Sequence, residues 1–234
     1  PLPTALLAPE AKVTLAAGLC FLEGPAIDAD GNVIFSDIQN SRILKLDPRG
    51  VVTTFREDSG RTNGNTFDRQ GRLISCEGAE NGPGGRRRVV RTDLKTGQVE
   101  VLTDRYEGKR YNSPNDVVVD PAGHIWFTDP LYAPDRSIME HDHEAVYRID
   151  TSGAGASSQV TRVITQPAIG RPNGLAITPD GKTLYVIDSH YINPTANRKI
   201  WAFDIQPGGT PANQRVVFDF GRGRGGDGMR LDSQ

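Results

Sequence analysis

Five polar residues open five similar segments of this 234-residue chain: Glu23 (EGPAIDADG), Asn63 (NGNTFDRQG), Asn115 (NDVVVDPAG), Asn173 (NGLAITPDG) and Asp227 (DGMRLD). All five are carboxylates or carboxamides. Gathered at one point, they would offer oxygen donors of mixed charge. A hard divalent cation takes such donors, roughly six to eight of them in the case of calcium. Glu23 and Asp227 would balance a dication, and no His or Cys stands among the five, which argues against a zinc-preferring site. Glu23, Asn115, Asn173 and Asp227 are therefore expected to ligate a metal. Asn63 is expected to line the same place as a substrate contact. Taken singly, Asn63–Gly64 and Asn173–Gly174 also read as ordinary turn residues. The shared offset of all five argues for the set.

Whatever brings these heads together must repeat. Eight residues after each of the first four heads stands a glycine, Gly31, Gly71, Gly123 and Gly181. Five residues after the heads stand Asp28, Asp68, Asp120, Thr178 and Asp232. An Asp-x-x-Gly step between two β-rich runs predicts a hairpin. Third strands are expected at SRILKLDP, RRVVRTDL, AVYRID and KIWAFDI, and fourth strands at VVTTF, QVEVLTD, TRVITQ and RVVFDF. Four strands per unit without a helical stripe predict a β-propeller blade. A β-sandwich also has many short strands, but it does not normally repeat one hairpin at a fixed offset. Innermost strands of successive blades line one channel, so the five heads face a common axis. KVTLAAG near the N-terminus could add a strand that closes the ring.

Head-to-head spacings are 40, 52, 58 and 54 residues, so the chain holds four full units and the start of a fifth. Residues 1–234 read as a single propeller domain, expected to be incomplete at the C-terminus. Lys and Arg number 27 against 29 Asp and Glu, a net charge of -2. Without a basic excess, coating nucleic acid is disfavoured. Hydrophobic residues make up 36%, and no run approaches the roughly 20 apolar residues of a membrane helix. Gly 26 and Pro 16 suit turn-rich β structure. Cys20 and Cys76 read as free buried thiols. The chain starts at Pro1 and shows no signal-peptide pattern, so a mature or trimmed product is expected, with cytoplasm and periplasm both open.

LEGPAID, YNSPNDVVVD, RPNGLAITPDG and GDGMRLD occur in order and resemble the gluconolactonase family, also called senescence-marker-protein/gluconolactonase/luciferin-regenerating-enzyme-like. YEGKRYNSPND and FTDPLY look most similar to its bacterial gluconolactonase-like branch. The resemblance implies a six-bladed propeller with a divalent metal in the channel. Calcium comes first, with magnesium, manganese or zinc as alternatives. It also implies hydrolysis of a small-molecule lactone. A ring of six such units needs about 300 residues. By resemblance the metal ligands fall on Glu23, Asn173 and Asp227, while Asn115 matches a position that binds metal in some members and substrate in others. CEGAEN departs from the family pattern. A phosphotriesterase resembling diisopropyl-fluorophosphatase is an alternative on the same site. A metal-bound propeller that only binds protein is the alternative from another class.

Opening a lactone needs a polarised carbonyl and an activated water. Asp227, the only Asp among the heads, is the candidate general base or nucleophile. Arg110, Asp129 and His190 join Asn63 and Asn115 as candidate substrate contacts. Asp37, Asp129 and Asp188 each end a second strand, so a strand-end hydrogen bond is their plainer role. Asp116 could orient a ligand. His124, together with His141 and His143 in MEHDHE, is expected on the solvated surface. The run Arg86, Arg87, Arg88 and Arg91 is expected to be a charged, solvated face. GRGRGGDG is not a phosphate loop; it reads as the loop that carries Asp227 into the channel.

Overall fold

Residues 21–79, 85–150, 159–190, 198–221 and 225–232 are described by a computed structural model. These segments contain strands and no helix. The first sheet is β1 (Leu22–Ile27), β2 (Val33–Asp37), β3 (Arg42–Leu46) and β4 (Val52–Arg56). The second is β5 (Thr62–Phe67), β6 (Leu73–Glu77), β7 (Arg88–Thr92) and β8 (Val99–Thr103). A short ribbon, β9 (Arg105–Tyr106) with β10 (Lys109–Arg110), precedes the third sheet. That sheet is β11 (Val117–Val119), β12 (Ile125–Asp129), β13 (Ala145–Asp150) and β14 (Gln159–Thr165). The fourth is β15 (Pro172–Ile177), β16 (Thr183–Ser189), β17 (Arg198–Ile205) and β18 (Pro211–Asp219).

Every four-stranded sheet follows chain order with antiparallel neighbours. The expected first, second, third and fourth strands of all four units are present. The cause is local. In the third hairpin Gly123 sits at φ 96 and donates its N–H to the Asp120 carbonyl at 2.9 Å. The Asp120 carboxylate accepts the N–H groups of Ala122 and His124, both at 2.9 Å. An Asp-x-x-Gly step thus closes its own turn. The ribbon β9–β10 has no counterpart in the repeat and was not expected.

First strands lie side by side in order: β1 against β5, β5 against β11, β11 against β15. This is a propeller-like arrangement, with the sheets standing face to face around those strands. Alternation supplies the core. Ile125 and Phe127 of β12 point toward the second sheet, where they meet Ile74 and Val89 together with Tyr111 from the segment before β11. Trp126 between them points toward the fourth sheet, where it meets Leu175, Val186 and Phe203. A period of two sends neighbouring residues into different interfaces, so a strand buried on both faces can be apolar throughout. Ile34, Ile43 and Leu73 join the first sheet to the second. Cys76 is buried in the larger of these clusters and free; burial pushes its thiol well above the usual range. Cys20 and the KVTLAAG strand lie outside the described residues.

Two surface expectations are corrected. His141 is only 5% exposed, packed beside Tyr106 and Tyr147 with ring centroids 6.1 and 6.4 Å away. The arginine run is not a solvated face: Arg88 pairs with Glu77 at 2.6 Å and Arg91 with Glu100 at 2.7 Å. Buried Arg87 donates to the carbonyls of Tyr111 and Ile138, at 2.5 and 2.9 Å. The alternation rule misses this because guanidiniums that reach a carboxylate or carbonyl need no solvent.

Candidate functional site

Three of the heads, Glu23, Asn63 and Asn173, sit where their strands leave regular pairing. In β1, Glu23 faces Ser36 while Ala26 faces Ile34, so three residue steps oppose two. The same extra residue lies between Thr62 and Asn65 in β5 and between Pro172 and Leu175 in β15. These are β-bulges, which bend a strand and re-aim a side chain. The simple turn expectation for Asn63–Gly64 and Asn173–Gly174 therefore gives way: both pairs stand inside strands.

Backbones of adjacent heads touch. Gly64 donates its N–H to the Asn115 carbonyl at 2.7 Å, and Gly174 donates to the Asp227 carbonyl at 3.0 Å. A Cβ on Gly174 would lie 2.4 Å from that carbonyl oxygen, so no side chain fits. At the third head Asp116 replaces glycine. One carboxylate oxygen accepts its own strand's Val117 N–H at 2.9 Å and the other accepts Leu175 N–H of the next sheet at 3.2 Å. A carboxylate there does what main chain does elsewhere.

Strand-end carboxylates fix the approach to two heads. Asp129 accepts the N–H groups of Asn112 and Ser113, at 2.8 and 2.7 Å. Asp188 accepts those of Gly170 and Arg171, both at 2.9 Å. In both cases these are the residues three and two before the head. The strand-end role expected for these aspartates is the one they play.

Glu23, Asn63, Asn115, Asn173 and Asp227 all line one cavity of about 300 Å³, together with Asp116, Met229 and Arg230. Asn115 and Asn173 are buried, Glu23 and Asn63 half-buried, and Asp227 exposed. Arg110, Asp129 and His190 are not among its lining residues. Fully buried Asp129 is occupied with backbone amides. Arg110 braces the ribbon, its guanidinium on the Arg86 carbonyl at 2.9 Å and its N–H on Glu140 at 2.8 Å. His190 packs beside Gly170 and donates its N–H to Asp188 at 3.3 Å. Position next to a motif predicted contact with substrate; outside this cavity, Arg110 and Asp129 bond the chain's own loops.

A family model for the SMP-30/Gluconolactonase/LRE-like region matches residues 21–234. The chain belongs to this family. A gluconolactonase of Zymomonas mobilis is 30% identical over 240 aligned residues, covering 94% of this chain and 64% of that protein. The chain thus spans less than two thirds of that relative's length. A solved gluconolactonase of Xanthomonas campestris superimposes with a TM-score of 0.74 at 34% identity, over 91% of this chain and 67% of that one. A calcium-binding regucalcin of Agrobacterium tumefaciens shares the fold, with a TM-score of 0.63 at 17% identity over 87% of this chain and 61% of that one.

In this SMP-30/gluconolactonase-like chain the electrostatics of the cavity are one-sided. Three carboxylates and one guanidinium line the cavity. Glu23 is pushed up to about 7 by burial and by the charges of Asp227 and Asp116, against a backbone hydrogen bond that lowers it. Burial also holds Asp116 above the usual range, although Arg230 stands 3.5 Å away. Among the described residues no three His, Cys, Asp or Glu side chains close on one point. The donor set is instead two carboxylates with neutral amides, and its uncompensated negative charge fits a hard dication. Sequence reasoning missed Arg230 and Tyr132. Arg230 follows a recognised head by three residues. Tyr132 lies in a loop that the repeat does not share.

Proposed function

We propose that this protein is a metal-dependent hydrolase that opens a sugar-derived lactone in the cavity between the heads. The carrying observation is that cavity: mixed oxygen donors from five repeat positions around an excess of negative charge. Family membership and 30–34% identity to two gluconolactonases support the lactone. We read residues 1–234 as one propeller domain whose four sheets belong to a six-bladed ring.

Glu23, Asn115, Asn173 and Asp227 would hold the cation, calcium before magnesium, manganese or zinc. When bound, the cation polarises the carbonyl and lowers the pKa of water. Asp227 accepts the proton of the water that adds to the carbonyl carbon. The ring C–O bond then breaks, and the departing alkoxide takes that proton back. Asn63 and Asn115 offer amide donors and acceptors to substrate hydroxyls. Asp116, also on the cavity wall, ties the third and fourth sheets through Val117 and Leu175 and takes no proton in this scheme.

The test is hydrolysis of D-glucono-1,5-lactone before and after chelation, with calcium, magnesium, manganese and zinc added back. Turnover lost on chelation and restored by one ion supports the reading. Folded, calcium-loaded protein that leaves this lactone and other aldonolactones intact overturns it.

A further inference from the structure

One head is held by a residue from outside the repeat. Asn173 Nδ2 donates to the Tyr132 hydroxyl at 2.8 Å. That hydroxyl also bonds Ser189 of β16. Tyr132 comes from the segment between β12 and β13, so a residue from the third sheet's connection grips a head of the fourth sheet.

The grip is itself anchored. The Arg171 guanidinium lies 5.2 Å over the Tyr132 ring. Arg171 is two residues before the head and forms a two-pronged pair with Glu144, at 2.9 and 3.1 Å. Side chains of both are almost fully buried, at 1% and 2% exposure. Glu144 also accepts the N–H of Leu131, beside Tyr132, at 3.2 Å. Ring and backbone are therefore fixed together. A two-pronged hydrogen-bonded pair of buried charges makes a directional support.

A carboxamide has a donor end and an acceptor end. The donor end of Asn173 is engaged by a phenol that its surroundings hold in place. The end left for the cavity is the oxygen. We propose that Tyr132 is a positioning residue that locks the Asn173 carboxamide with Oδ1, not nitrogen, toward the cavity. Its use rests on the reading above, in which that oxygen meets a cation. A phenol hydroxyl both donates and accepts, so it can take the Asn173 N–H and keep its bond to Ser189 at the same time.

The test uses the full chain and two readouts. The first is the side-chain NH2 resonances of Asn173, assigned through Asn173→Ala. In wild type these protons should exchange slowly, and in Tyr132→Phe, which keeps the ring, they should shift and exchange faster. The second is calcium affinity by calorimetry. Tyr132→Phe should weaken it about tenfold, as removal of a ligand's support commonly does. In an Asn173→Ala background Tyr132→Phe should cost nothing more, which a merely structural role would not produce. Ser189→Ala should give a smaller effect of the same kind. Unchanged Asn173 resonances in Tyr132→Phe overturn the proposal. So does an equal affinity loss with and without Asn173. Wild-type protein that binds no calcium overturns the metal reading instead, and the resonances alone then decide the role of Tyr132.

Discussion

Glu23 and Asp227 share one cavity but differ in exposure, which divides their work. Asp227, open to solvent on the segment 225–232, can meet an incoming water. Asp227→Asn should lower kcat by about a thousandfold at saturating calcium, the scale of a lost general base. Full turnover with metal retained would remove Asp227 from that role. Glu23, half-buried and facing two carboxylates, binds its proton more tightly in the folded chain than in the unfolded one. Its pKa is raised from 4.5 to about 7, so the native state holds the extra proton between those values. Stability of chelated protein should therefore fall as pH rises from 4.5 to 7, and calcium should abolish the fall. Thermal melts with and without calcium across that range check it, and Glu23→Gln should flatten the chelated profile. A chelated wild-type profile that rises over this range would contradict the charge balance described.

Elements turn these residues toward one another, and they were unequally legible. Strand positions were readable because the Asp-x-x-Gly hairpin closes through contacts within five residues. The bulges under Glu23, Asn63 and Asn173 were not, since an extra residue shows only in the partner strand's register. The five heads were legible as a repeat, and all five reach the cavity. Tyr132 was illegible because it depends on a contact between residues 41 apart, in a segment with no equivalent in the other units. Asp129 shows how a carboxylate beside a motif can serve the backbone. Its two oxygens hold the backbone leading to Asn115, so Asp129→Ala should lower unfolding free energy by about 3 kcal/mol, as two amide–carboxylate bonds lost inside the protein would. Urea denaturation checks this. A raised KM with unchanged stability would restore Asp129 as a substrate contact.

At the scale of the whole molecule, the cavity is where the sheets meet, so filling it should tie them together. Calcium at a hundredfold excess over its dissociation constant should stabilise the fold by about 2.7 kcal/mol. For a chain of this length that is a rise of roughly 8 °C in Tm. Scanning calorimetry measures it, and no rise would mean that the folded chain binds no calcium under these conditions. The contacts from Gly64 to Asn115 and from Gly174 to Asp227 are made by main chain alone. No head side chain is needed to hold those neighbours in place. Exchanging a head other than Asn173, whose amide also bonds Tyr132, among Asn, Asp and Glu would alter the charge and reach offered to a guest while leaving those backbone contacts in place. Replacing either glycine would do the reverse. The fold thus separates what may drift from what must stay, and new specificities are open to it through a handful of single substitutions.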